Sequence, residues 1–96
     1  MRVTYHDGAI AELREAVAFY NERSAGLGFA FLDDVRTVLA EVSVHPGMGV
    51  AVRPAVRRAL LSRFPYSILY HSSEARILVL AVMHHRRKPG YWVNRI

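Results

Sequence analysis

The sequence contains no cysteine, which excludes disulfides and any thiolate-held metal or redox site. It contains one lysine, Lys88; the other twelve of its thirteen basic residues are arginine. Acidic residues are nearly absent from the second half. Residues 49–96 hold nine cations against Glu74 alone (9 − 1 = +8), while residues 1–48 hold four arginines against seven acids (4 − 7 = −3), which together give the net +5. No apolar run approaches the roughly 20 residues needed to cross a bilayer. The opening MRVTYHDG lacks the apolar core of a signal peptide. These absences predict a cytoplasmic chain folded as one domain over residues 1–96, with no membrane contact and no cofactor. So uneven a charge balance calls for an anionic partner of the second half, either nucleic acid or an acidic protein segment.

With 52% of its 96 residues hydrophobic, the chain is globular in composition. The densest apolar run is Ile77-Leu78-Val79-Leu80-Ala81-Val82-Met83. Consecutive apolar residues with β-branching, just after Ser72-Ser73-Glu74, predict a strand buried on both faces near the centre of a sheet. The run gives way to His84-His85-Arg86-Arg87-Lys88, then Pro89-Gly90 and Tyr91-Trp92, so this strand delivers a cationic cluster beside two aromatic rings.

Earlier in the chain, Arg2–Tyr5 reads as a short strand. Asp7 is a suitable helix N-cap, and Ile10, Leu13, Val17 and Tyr20 recur at helical spacing, a stripe that Ala16 and Phe19 widen. Residues 24–28, SAGLG, break the pattern. A second helix is expected from Phe29 to Ser43, with Leu32, Val35, Val38-Leu39 and Val42 inward and Asp33, Asp34, Arg36 and Glu41 outward. Gly47–Pro54 reads as a loop, Val56–Leu61 as a strand, Phe64-Pro65 as a turn, and Tyr66–His71 as a strand whose Tyr66, Ile68 and Tyr70 form a core stripe. The predicted order is β-α-α-β-β-β, an α+β fold with a helix hairpin packed on a small, mainly antiparallel sheet.

Candidate binding residues are Arg57, Arg58, Arg63, Arg86, Arg87 and Lys88, which sit near strand ends or on neighbouring strands, with Tyr91 or Trp92 available to stack on a base or to close the core. His84 and His85 are adjacent, so a regular strand sends them to opposite faces and they cannot chelate one ion; no metal site is expected. RNA cleavage without a metal needs a base, cations and an acid. Arg63, His85, Arg86, Arg87 and Tyr91 are the residues of those types.

The element order, the run from Phe64 to Tyr70, and the closing HRRKPGYW resemble the RelE/ParE superfamily of type II toxins over essentially the whole chain. The most specific part is the pattern PY-x-I-x-Y followed by H-x-R-x-P-x-x-W, carried by Pro65, Tyr66, Ile68, Tyr70, His85, Arg87, Pro89 and Trp92. The resemblance implies a toxin in a hetero-oligomer with a cognate antitoxin, whose flexible and usually acidic segment neutralises it, as in plasmid-stabilisation systems. RelE-like members cleave mRNA on the ribosome as metal-independent endoribonucleases. They use an arginine where this chain has Ser67, and a second-strand lysine where it has Leu60, with Arg58 at the other such position. ParE-like members poison DNA gyrase and carry no chemistry of their own. The FPY turn and the HRRKPGYW ending are closer to the ParE-like branch. A non-toxic RNA- or protein-binding domain is the third alternative.

Overall fold

In the computed structural model, which describes residues 1–96, the chain runs β1 (Arg2–Tyr5), α1 (Asp7–Arg23), α2 (Leu27–Val44), β2 (Val50–Arg53), β3 (Val56–Leu60), β4 (Tyr66–Ser73), β5 (Arg76–His84) and a 3-10 turn (Val93–Arg95). The five strands form one sheet in the order β1-β5-β4-β3-β2. β1 pairs with β5 in parallel and the other neighbours are antiparallel. The α+β architecture is therefore the expected one. β5 lies inside the sheet, and residues 79–83 are all buried, as a two-faced apolar run requires; each such side chain contributes about 2 kcal/mol of transfer free energy.

Several local features differ from expectation. Val50–Arg53 is an edge strand rather than a loop, bonded to β3 across a register shift; four residues, one of them at a bulge, leave little alternation to read. His6, not Asp7, caps α1, its Nδ1 accepting the Gly8 N–H at 2.9 Å. The inward residue of the first turns of α2 is Phe31, not Leu32, because Phe31 stands one turn before Val35 on the buried stripe, and the helix starts two residues earlier than expected. Phe19 is exposed and does not widen the stripe; instead Arg23 lies 4.3 Å over its ring. Asp34 is buried rather than outward. Its two carboxylate oxygens accept the Ser62 and Arg63 N–H groups at 3.2 and 2.8 Å, which satisfies the charge and ties the β3–β4 loop to α2.

The helices meet closely at Gly28, where a Cβ would fall 2.3 Å from the Val17 carbonyl oxygen. Between hairpin and sheet lies the larger core, including Phe31, Val35, Val42, Ile68, Tyr70, Ile77, Val79 and Val82. The tyrosine stripe of β4 belongs to it: Tyr20, Phe31, Phe64 and Tyr66 form an aromatic cluster, with the Tyr66 and Phe31 rings 4.8 Å apart and edge-on. A second, smaller core lies on the other face of the sheet, where Val56, Leu69, Leu80, Ala81 and Met83 are covered by Trp92. The C-terminal residues thus form a third layer.

Candidate functional site

Two interruptions of strand pairing decide which side chains reach that second face. In β5, Ala81 opposes Leu69 and Val79 opposes Tyr70, so Leu80 has no partner. A bulge of this kind turns two consecutive side chains to one face, and Leu80 and Ala81 both join the Trp92 core. The alternation is thereby reversed beyond it. Val82 and His84 turn to the helix side, where the His84 ring meets Tyr66 at 4.9 Å, and Met83 turns to the Trp92 side. In β2, Ala51 opposes Arg57 and Arg53 opposes Val56, leaving Val52 extra. Val52 and Arg53 consequently flank the same groove on the Trp92 face.

That groove encloses about 240 Å³. Leu69 and Met83 form its floor, and Pro89, Gly90 and Trp92 form one wall. Gly90 has φ +80°, a left-handed conformation that lets the chain turn after Pro89 and lay Trp92 on the sheet. Arg53 and Arg58 supply the cations. A second hollow of about 340 Å³ shares Arg53 and Trp92 and continues toward Val93 and Ile96.

Arg58 is held from below. Its Nε donates to Ser67 Oγ at 2.9 Å, and Ser67 Oγ lies 3.0 Å from His85 Nε2. Ser67 is completely buried. Because Arg58 can only donate, Ser67 Oγ accepts from it and can donate its own O–H to His85 Nε2 in the tautomer that leaves that nitrogen unprotonated.

A separate cluster surrounds Glu12. Arg95 approaches it in two-point fashion, Nη1 to Oε1 at 3.0 Å and Nη2 to Oε2 at 3.1 Å, and Arg87 adds a longer contact at 3.8 Å. Tyr91 has Arg87 at 4.0 Å and Arg95 at 5.1 Å from its ring. Its hydroxyl is buried without a hydrogen-bond partner. Burial first, and the Glu12 carboxylate second, push its pKa well above the ordinary tyrosine value despite the two arginines. Hydrogen bonding to Glu12 likewise raises that of Arg95.

The residues singled out from sequence are therefore dispersed. Arg58 and His85 meet through Ser67. Arg57, one residue away, points to the opposite face and donates to the Gly49 carbonyl at 2.6 Å. Arg63 sits in the β3–β4 loop with its backbone on Asp34. Arg87 and Tyr91 belong to the Glu12 cluster, whereas Arg86 and Lys88 are exposed in the turn after β5. Trp92 is 5% exposed, so it closes the second core and offers no free face for a base. Sequence reasoning missed Arg53, Glu12 and Arg95. Arg53 reaches the groove only through a bulge. Glu12 and Arg95 are 83 positions apart, and nothing local in either marks the pairing.

Residues 3–89 match the family described as "ParE toxin of type II toxin-antitoxin system, parDE". None of the curated proteins matches the chain. Among solved structures the fold is similar to one titled "Chromosomal ParDE TA system from P. aeruginosa", with a TM-score of 0.74 and 19% identity over 88% of this chain and 95% of that one. With the family match running from β1 to the Pro89 turn, the chain belongs to the ParE toxin family of type II toxin–antitoxin systems.

Proposed function

We propose that this protein arrests growth by binding DNA gyrase, without chemistry of its own, and that a cognate antitoxin neutralises it. Family membership supports the gyrase target. The observation that carries the non-enzymatic part is the state of Arg87 and Tyr91, the residues available to stand in for those of an RNA-cleaving relative. Arg87 is turned to Glu12 and to the Tyr91 ring, and the Tyr91 hydroxyl is buried with its pKa raised, which ill suits a group that must exchange a proton near neutral pH. Ser67, where the RNA-cleaving branch carries an arginine, is buried beneath Arg58 and supplies no cation of its own. The test is a supercoiling assay with purified toxin and gyrase. Inhibition is the expected result; undisturbed supercoiling together with codon-dependent mRNA cuts on ribosomes would refute the proposal.

One observation favours the ribosome-dependent mRNA endonuclease as a second reading. His85 is exposed and linked through Ser67 to Arg58, which places a proton acceptor near a cation on one face. In that case His85→Ala and Arg58→Ala would abolish mRNA cleavage by a toxin that leaves gyrase unaffected.

A further inference from the structure

Where β5 runs past the end of β1, the strand and helix α1 leave a hollow of about 230 Å³ between them. Its two carboxylates differ in state. Glu12 is taken up by Arg95, Arg87 and the Val82 amide, whereas Glu15 forms no ion pair. The Glu15 charge still reaches the Tyr66 hydroxyl, whose pKa is raised by burial first and then by Tyr20 and Glu15. Aromatic walls flank this free carboxylate: Tyr66 from the sheet and Phe19 from the helix. Phe19 remains 46% exposed even with the Arg23 guanidinium 4.3 Å over its ring. A free carboxylate between aromatic rings suits a guanidinium, which bonds to the one and stacks on the other.

We infer that this hollow is half of a self-complementary interface, and that its occupant is Arg86 of a second copy of this chain. Arg86 is exposed and has no carboxylate partner. Its N–H donates to His84 Nδ1 at 3.0 Å, which fixes the turn carrying Arg86 against a residue that lines the hollow. Receptor and occupant therefore lie side by side on one surface. A two-fold axis between them places each copy's Arg86 over the other's Glu15, so the contact closes on itself. Arg87, the cation already lining the hollow, is turned onto the Tyr91 ring and Glu12. Charge complementarity favours this occupant: the half that supplies α1 carries −3 and the half that supplies Arg86 carries +8. Nucleic acid fits less well, since Glu12 and Glu15 would meet its phosphates. A partner strand finds the β5 edge already closed, with Glu12 on the Val82 amide and Arg95 on the Leu80 carbonyl. So small a contact makes a weak, salt-sensitive dimer, with a dissociation constant of about 10–100 µM. The inference concerns the toxin alone and holds whichever target it has.

The experiment is sedimentation velocity on the full toxin, purified free of antitoxin, over a concentration series at low and at high salt. A monomer–dimer equilibrium that salt weakens is the expected result. Glu15→Arg sets like charges against each other at both contacts, and Arg86→Glu does so with the opposite sign. Each variant alone should associate at least about 10-fold more weakly. Mixed in equal amounts, the two should associate again, because their heterodimer pairs opposite charges at both contacts; native mass spectrometry identifies it. Recovery on mixing also shows that both variants fold. Glu41→Arg and Arg76→Glu, at exposed positions elsewhere and with the same changes of charge, should dimerise as the parent does. A parent that stays monomeric, variants that associate as it does, or a mixture that fails to recover would each overturn the assignment. Equal losses in the control variants would overturn it too, by reducing the effect to net charge. If the parent is monomeric and Glu15→Arg instead weakens binding of the adjacent gene's product or inhibition of gyrase, the occupant is the antitoxin or the target, not a second copy.

Discussion

Glu12 and Arg95 substitute for a missing strand. β1 ends at Tyr5, opposite Val79, and β5 continues for five more residues without a neighbour on that side. Over this stretch Glu12 Oε1 accepts the Val82 N–H at 3.0 Å, and Arg95 Nη1 donates to the Leu80 carbonyl at 3.0 Å. The two side chains then close on each other at 3.0 and 3.1 Å. One ion pair thus satisfies the backbone at the bulge, covers an open sheet edge, and fastens the C-terminal layer to α1.

Glu12→Ala is therefore expected to cost about 2–4 kcal/mol, since it leaves a largely buried arginine with only the Leu80 carbonyl and the Val82 amide without its acceptor. The Glu12 and Arg95 side chains are only 10% and 19% exposed, so solvent replaces little of what is lost. Urea unfolding measures the change, and hydrogen exchange at Val82 localises it. A destabilisation below about 0.5 kcal/mol would show that the edge needs no such cover.

The buried Tyr91 hydroxyl predicts a signature at alkaline pH. Its pKa is raised in the folded state, so its contribution is fully present below the unfolded value of about 10. Above that pH the unfolded chain releases the phenolic proton while the folded chain retains it, and stability falls as pH rises. Tyr91→Phe should make the decline above pH 10 shallower. Tyr5 and Tyr66, also raised mainly by burial, should preserve part of it. Identical alkaline unfolding curves for variant and parent would contradict the burial of this hydroxyl.

Tyr70 anchors the approach to β2. Its hydroxyl donates to the Pro46 carbonyl at 2.6 Å and accepts the Gly49 N–H at 3.1 Å. Tyr70→Phe keeps the ring in the core but strands the Gly49 amide, so a loss of about 1–2 kcal/mol is expected. Amide exchange should accelerate over residues 46–53. Unaltered exchange there, with an unaltered melting temperature, would mean that the loop is held by Arg57 and Gly49 alone.

The elements that follow apolar periodicity were legible from sequence: the two helices, the inner position of β5 and the tyrosine stripe of β4. Where periodicity is interrupted, legibility ended. A strict alternation from Ile77 would send Ala81 to the helix side and His84 to the Trp92 side, and only the unpaired Leu80 reverses both. Nothing in Leu80-Ala81 announces a bulge. For the same reason the proximity of His85 to Ser67 and the placement of Arg53 follow from pairing register, not composition. The cationic cluster of residues 86–88 was visible, but its division between an ion pair and free surface depended on Glu12, which the chain brings back from the first helix.

Arg87 and Arg95 both reach Glu12 and both lie against Tyr91, yet their substitution should have unequal effects. Arg87 stands 3.8 Å from the carboxylate with its side chain 51% exposed; solvent screens such a pair, whose worth is about 0–1 kcal/mol. Arg95 makes two short hydrogen bonds to Glu12 and a third to the Leu80 carbonyl. Removing it leaves a largely buried carboxylate with only the Val82 amide and the longer, solvent-screened contact to Arg87, at about 2–4 kcal/mol. Arg95→Ala is accordingly expected to lower the melting temperature by roughly 10–30 °C, and Arg87→Ala by at most about 8 °C. Raising the salt concentration should erase the Arg87 effect and spare most of the Arg95 effect. If the two variants melt together, the Glu12 cluster is held by its overall field and not by the paired hydrogen bonds of Arg95.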